Sequence, residues 1–186
     1  MNMTVTSAKT MVHQDLLDSC RNGDQKAQMQ IYKLYYKAMY NTSLQIVGNT
    51  AEAEDIMQES FLKAFQLLPE TNLATGFGGW LRKIVVNKSL DVVRKRRIYF
   101  EEVDEIRDDT IDESTLETTG ESINDKIKRV RRAMAELPEK YRLVLSLNLL
   151  EGYDHDEISS FLGITASTSR AQLSRGKQKL LAILKN

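Results

Sequence analysis

The sequence predicts an all-helical protein of two small domains joined by a flexible acidic linker. Three observations predict it. Only two prolines, Pro69 and Pro138, interrupt the 186 residues. Apolar side chains recur at intervals of three and four, the spacing of one helix face. Charge is sorted along the chain: residues 1–100 carry 13 basic side chains against 9 acidic, residues 101–125 carry Arg107 alone against 11 acids, and residues 126–186 carry 12 against 6. The totals cancel at 26 each, so the zero net charge conceals two basic ends and an acidic strap between them.

In residues 24–48, Ile31, Leu34, Tyr35, Ala38, Met39, Thr42 and Ile46 form one stripe, with Asp24 as cap and Gly48 as terminator. Tyr32, Tyr35, Tyr36 and Tyr40 share helical spacing, which suits packing with the hydroxyls at the surface. Thr50 is the expected N-cap of the next helix, with Glu52 and Glu54 in its first turn, where the helix dipole favours acid. Ala53, Ile56, Met57, Ser60, Phe61, Ala64 and Leu68 are its expected buried stripe. Pro69 stops it, and residues 70–79 read as a turn-rich loop. A third helix, "WLRKIVVNKSLDVVRKRR", has Trp80, Leu81, Ile84, Val85, Leu90 and Val93 available for packing. Its polar face carries Arg82, Lys83, Asn87, Lys88, Asp91, Arg94 and Lys95, and Asp91 is spaced to order Arg94 and Lys95.

Residues 101–121 lack an apolar stripe and repel themselves, which makes them a linker. The second domain opens near Ser122. A helix through Leu137 is ended by Pro138, which suits the start of the next, 138–151. Gly152 breaks that one. Asp154 and Glu157 form a capping box for a short helix to Leu162, with His155 inside the cap in a structural role. Gly163 turns the chain, and Thr165 caps a last helix to about Leu184.

Several functions are excluded. A lone Cys20 permits no internal disulfide, fits a reducing compartment and reads as an inert small apolar residue. With His13 and His155 it is too small a set for a structural zinc site. No apolar run reaches the roughly 20 residues of a membrane span, and "MNMTVTSAKTMVHQ" lacks the apolar core of a secretory leader. A cytoplasmic protein without membrane insertion is expected. No Gly-rich phosphate loop, nucleophile–base pairing or metal cluster is present, so neither enzymatic activity nor a cofactor is expected.

"DEISSFLGITASTSRAQLSRGKQKL" is short helix, tight Gly turn and basic helix: a helix-turn-helix. Ser159, four residues before Gly163, lets the two helices approach. Ser169, Leu173, Gly176, Leu180 and Leu184 face inward on the last helix, while Ser167, Arg170, Ala171, Ser174, Arg175 and Gln178 face away. Side chains near the start of such a helix reach base edges in the major groove. Arginine reads guanine in bidentate fashion, and Ser or Ala accommodates varied edges or a thymine methyl. Lys177 and Lys179 are expected phosphate contacts.

With these residues in view, the chain resembles a known family. "LPEKYRLVLSLNLLEGYDHDEISSFLGITASTSRAQLSRGKQKL" is similar to region 4 of sigma-70 family factors of the extracytoplasmic-function (ECF) type. "AEDIMQESFLKAF" and "GWLRKIVVNKSLDVVRKRR" resemble their region 2. The resemblance covers roughly residues 14–184 and implies region 2 over 1–100, an acidic linker over 101–121 and region 4 over 122–186. It implies docking of Asp55, Gln58, Glu59 and Leu62 on core RNA polymerase. It also implies reading of the promoter minus-10 element by the helix from Gly79 to Arg97, through Lys83, Asn87, Lys88, Arg94 and Lys95. The 70–79 loop, with Thr71, Asn72, Thr75 and Phe77, is then placed to receive a flipped base. The minus-35 element falls to Ser167, Arg170, Ala171, Ser174, Arg175 and Lys177.

The family comparison further implies a linker threaded through polymerase, a dedicated anti-sigma protein, and a monomer when free. Ser169 departs from the family, which usually has an apolar residue there. Its hydroxyl is expected to bond back to the Thr165 carbonyl. Two other readings compete: a homodimeric helix-turn-helix regulator, which leaves "AEDIMQESF" unexplained, and a helical adaptor that binds only protein, against which two separate basic helices stand.

Overall fold

The computed structural model describes residues 14–71, 76–101 and 123–185. Every regular element among them is helical. Residues 14–21 form α1. It is followed by α2 (Gln25–Val47), α3 (Thr50–Leu67), α4 (Phe77–Glu101), α5 (Ile123–Ala135), α6 (Glu139–Leu145), α7 (His155–Leu162) and α8 (Ala166–Lys185). The described residues divide into two compact units, one within Met1–Leu44 and Asn49–Ser89, the other within Gln45–Gly48 and Leu90–Asn186. The division falls inside α4. The acidic segment 102–121, Asn72 and Thr75 lie outside the described residues.

In the first unit Asp24 Oδ1 accepts from the Lys26 amide at 2.8 Å and starts α2. Ala27, Ile31, Met39, Thr42 and Ser43 are buried. Leu34 and Ala38, expected in this stripe, are exposed instead. They sit at the edge of the arc, because aromatic rings set the phase: Tyr32 lies 4.9 Å from Phe61 and Tyr35 5.4 Å from Phe77, between ring centroids. The tyrosines are half-buried, as their spacing predicts.

The cap of α3 is Asn49 rather than Thr50. Asn49 has the extended backbone of a cap and its side chain accepts from the Glu52 amide, whereas Thr50 is already helical. The predicted α3 stripe is buried throughout, including Leu68 in the 3-10 turn that carries Pro69. Inside the bundle Ser60 Oγ donates to the Ile56 carbonyl at 2.6 Å. The Ser89 hydroxyl lies 2.8 Å from the Val85 carbonyl and 3.1 Å from Ser43 Oγ, so α2 and α4 share a satisfied polar contact. Burial, with Asp24 adding, pushes the Cys20 thiol up. It stays protonated and behaves as a small core residue.

In the second unit Met134, Leu137 and Leu145 form a buried cluster, against which Leu173, Leu180 and Ile183 of α8 pack. The carbonyl of Pro138 accepts from the Tyr141 and Arg142 amides and opens α6. A π-helical turn, Ser146–Leu150, ends that segment, and Gly152, at φ 79°, follows it. The capping box of α7 is complete: Asp154 accepts from the Asp156 and Glu157 amides, and Glu157 accepts from the Asp154 amide. Gly163 closes α7 in the left-handed region at φ 65°.

Helices α6 and α8 meet at Gly176. A Cβ there would lie 3.0 Å from Leu145 Cδ1 and 3.2 Å from Tyr141 Cβ. Gly176→Ala should therefore be near neutral, within about 1 kcal/mol, because the gain in helix propensity offsets a small shift of the Leu145 methyl. Gly176→Leu drives a branched side chain into the same gap and should cost about 3 kcal/mol. Chemical denaturation of the two variants checks the contrast; equal stabilities would contradict the packing.

Candidate nucleic-acid interface

The last helix is open to solvent on the face that the sequence turns outward. Thr165 Oγ1 accepts from the Thr168 amide at 3.1 Å and fixes the start of α8. Ser169 and Gly176 are buried; Ser167, Arg170, Ser174, Arg175, Lys177 and Gln178 are exposed, and Ala171 is half-buried. On the helical wheel Arg170 and Arg175 flank this outward face, with the small side chains of Ser167, Ala171 and Ser174 between them. Neither arginine has an acidic partner among the described residues. Small residues at the centre let the helix axis approach a groove floor, and long cations at the flanks reach outward from it.

A groove of about 420 Å³ separates the first half of α8 from α6, lined in part by Lys140, Tyr141, Ser167, Ala171 and Arg175. Lys140 Nζ lies 5.2 Å from the Tyr141 ring centroid and Lys179 Nζ 5.9 Å from the same ring. The sequence reading leaves out Lys140, because it lies on a separate helix with no spacing signal tying it to the motif.

On α3, Asp55, Gln58, Glu59 and Leu62 are exposed together, and Leu62 is 65% exposed despite being apolar. The opposite face holds Ile56, Phe61 and Ala64, all buried. On α4, Lys83, Asn87, Arg94 and Lys95 are exposed and Lys88 is half-buried. Two of these are engaged within the chain. Lys88 Nζ lies 2.5 Å from Glu59 Oε2. Arg94 donates from Nε to the Phe161 carbonyl at 2.8 Å and from Nη1 to Asp91 Oδ1 at 3.1 Å, so Asp91 orders Arg94 as its spacing predicts.

Phe77 departs from the reading that offers it for base stacking. It is 3% exposed, edge-on to Tyr35 and 5.9 Å from Trp80. The reason is local: α4 begins at Phe77, three residues earlier than expected, and its first turn points into the bundle. Trp80 itself is half-buried. Asn72 and Thr75, the other loop residues expected to receive a base, lie outside the described residues.

Ser169 also departs from expectation. Only its backbone amide bonds to the Thr165 carbonyl, at 2.9 Å. Its hydroxyl lies 2.9 Å from His155 Nδ1, across the turn on α7.

Comparison with known proteins accounts for both sets of helices. The "Sigma-70 region 2" family model matches residues 31–98, and the "Sigma-70, region 4" model matches residues 127–180. Together they cover well over half of the chain. The chain belongs to the sigma-70 family, in its ECF branch. Among ECF relatives it is 26% identical over 177 residues to the ECF RNA polymerase sigma factor SigW of Bacillus subtilis, with 86% of this chain and 90% of that protein covered. It is 31% identical over 165 residues to the ECF RNA polymerase sigma factor SigE of Mycolicibacterium smegmatis, covering 85% of this chain and 63% of that protein. The fold is similar to that of the sigma factor RpoE in a co-crystal structure with the anti-sigma factor NepR from Bartonella quintana. There the TM-score is 0.53 at 18% identity, over 84% of this chain and 96% of the other. In sigma-family terms α2, α3 and α4 carry region 2, and α5 to α8 carry region 4.

Proposed function

We propose that this sigma-family chain is a transcription initiation factor that binds core RNA polymerase and directs it to promoters. Residues 1–100 dock on polymerase through Asp55, Gln58, Glu59 and Leu62 and engage the minus-10 element through the exposed face of α4. Residues 122–186 engage the minus-35 element through Ser167, Arg170, Ala171, Ser174, Arg175 and Lys177. Asn72 and Thr75 stay in the minus-10 proposal, and Phe77 leaves it for the core. The factor works in the cytoplasm; no helix among the described residues is long and apolar enough to cross a membrane. By analogy with the relative solved with an anti-sigma factor, a partner of that kind holds it inactive. The acidic segment 101–121 lies in basic channels of polymerase, and in the free protein it competes with DNA for the basic helices.

The observation that carries this reading is the pairing of two exposed faces in one chain. An acid-and-amide face on α3 and a basic face on α8 each stand opposite a buried stripe. Arginines on a polymerase helix suit the first face, and duplex DNA suits the second. The deciding experiment is in vitro transcription with core polymerase on a promoter library. Initiation at a defined set of promoters is expected, with DNA binding that is salt-sensitive and requires polymerase. Initiation nowhere would overturn the assignment, and a palindromic footprint by the free protein would favour a homodimeric regulator.

A further inference from the structure

Ser169 lies on α8 directly opposite the outward face that Arg170 and Arg175 flank. It is wholly buried, so no water reaches its hydroxyl, and a buried hydroxyl without a partner is costly. Its partner is His155, whose Nδ1 lies at 2.9 Å. The bond forms with either ring tautomer, because the serine hydroxyl both donates and accepts. We propose that His155 is a positioning residue for promoter reading: through Ser169 it fixes the rotation of α8 about its own axis, and thereby which base edges Arg170 and Arg175 reach. The inference rests on the reading of α8 as the DNA-facing helix.

The surrounding structure makes this contact a tie between two independently secured helices. The start of α7, including the backbone of His155, is locked by the Asp154–Glu157 capping box. The start of α8 is locked by the Thr165 hydroxyl on the Thr168 amide. Between them the chain passes through Gly163, in the left-handed region. Ile158 and Leu162 supply the buried apolar side of α7. The close approach of Gly176 to Leu145 and Tyr141 holds α8 at its middle; towards its start the hydrogen bond adds a preferred length and angle that non-directional apolar burial lacks.

Rotation matters at this site. With side chains a helix is about 10–12 Å across, so a turn of roughly 20° moves its surface by about 2 Å. Recognition constellations hold only within about 0.5 Å. A small rotation would therefore carry both arginines out of bidentate register while leaving the helix folded.

The test uses the full chain bound to core polymerase. Minus-35 sequences are selected from randomised promoter duplexes, and affinities for the selected and a scrambled sequence are compared, with thermal melting of each variant. His155→Ala should lower the ratio of selected to scrambled affinity by at least about tenfold. His155→Gln, whose side-chain amide keeps hydrogen-bonding capacity, should recover most of that loss. His155→Phe with Ser169→Val removes both polar partners and leaves no orphaned hydroxyl. It should melt close to the parent, bind scrambled DNA equally well and select a different minus-35 sequence. An unchanged selected sequence with an unchanged ratio in both His155→Ala and the double variant would overturn the proposal. So would a loss of scrambled-duplex binding equal to the loss of specific binding, which marks a purely structural role. A parent protein that selects no minus-35 sequence would sink the reading of α8 itself, and the positioning role with it.

Discussion

Reversing two carboxylates on α3, Asp55→Arg together with Glu59→Arg, should abolish transcription directed by this chain, cutting promoter-specific product by at least about a hundredfold. Both side chains are exposed, so the change costs the fold little; surface substitutions usually stay within about 0.5 kcal/mol. Glu59→Arg also gives up the pair with Lys88 and sets a guanidinium near that ammonium, but the long arginine side chain can turn away into solvent. The Glu59 side chain is 65% exposed, and an exposed ion pair contributes at most about 1 kcal/mol. Across an interface the same reversal places cation against cation, which costs several kcal/mol. Each 1.4 kcal/mol is about tenfold in affinity, so about 3 kcal/mol accounts for the loss. A pull-down with core polymerase, beside a thermal melt, checks the expectation. Retained polymerase binding by a folded double variant would remove this face from the docking surface.

The Lys88–Glu59 pair couples two predicted surfaces that the sequence treats as separate. Spacing along each helix places Lys88 on the basic face of α4 and Glu59 on the acidic face of α3, but it carries no information about which helices adjoin. Faces within one helix are legible where packing leaves the helix in phase: the α3 stripe from Ala53 to Leu68, the capping box at Asp154, and the outward set on α8 all follow from a period of 3.6 and from cap chemistry. What escaped depends on a neighbour. Leu34 looks like core by spacing and is exposed, because Tyr32 and Tyr35 meet rings on α3 and α4 and turn the helix. Phe77 looks like a free loop aromatic and is buried, because α4 starts earlier than its glycines suggest. Ser169 reads as a buried hydroxyl in need of a partner, and it is buried. The sequence offered the nearest carbonyl, and the fold supplied a histidine 14 residues away.

The second large effect concerns the two arginines of α8. Arg170→Ala with Arg175→Ala should weaken binding to the preferred minus-35 sequence by about a hundredfold, with a far smaller change on scrambled duplex. A bidentate guanidinium–guanine contact is worth about 1–3 kcal/mol of discrimination, so two such contacts suffice. Position along the helix sharpens the expectation. Five residues at 1.5 Å each separate them by about 7.5 Å along the axis, roughly two base steps. They also flank the outward face on opposite sides, so they lean toward different strands. Each single variant should therefore relax preference at its own base pair, and the two positions should lie about two steps apart. Lys177→Ala should behave differently. As a phosphate contact it carries no sequence information, so its loss should weaken all duplexes alike and reduce the slope of log affinity against log salt by about one. Parallel salt titrations of the three variants, each bound to core polymerase, on selected and scrambled DNA separate the two behaviours. Arginine variants that weaken both duplexes equally would show that these side chains hold the backbone and that sequence is read elsewhere on α8.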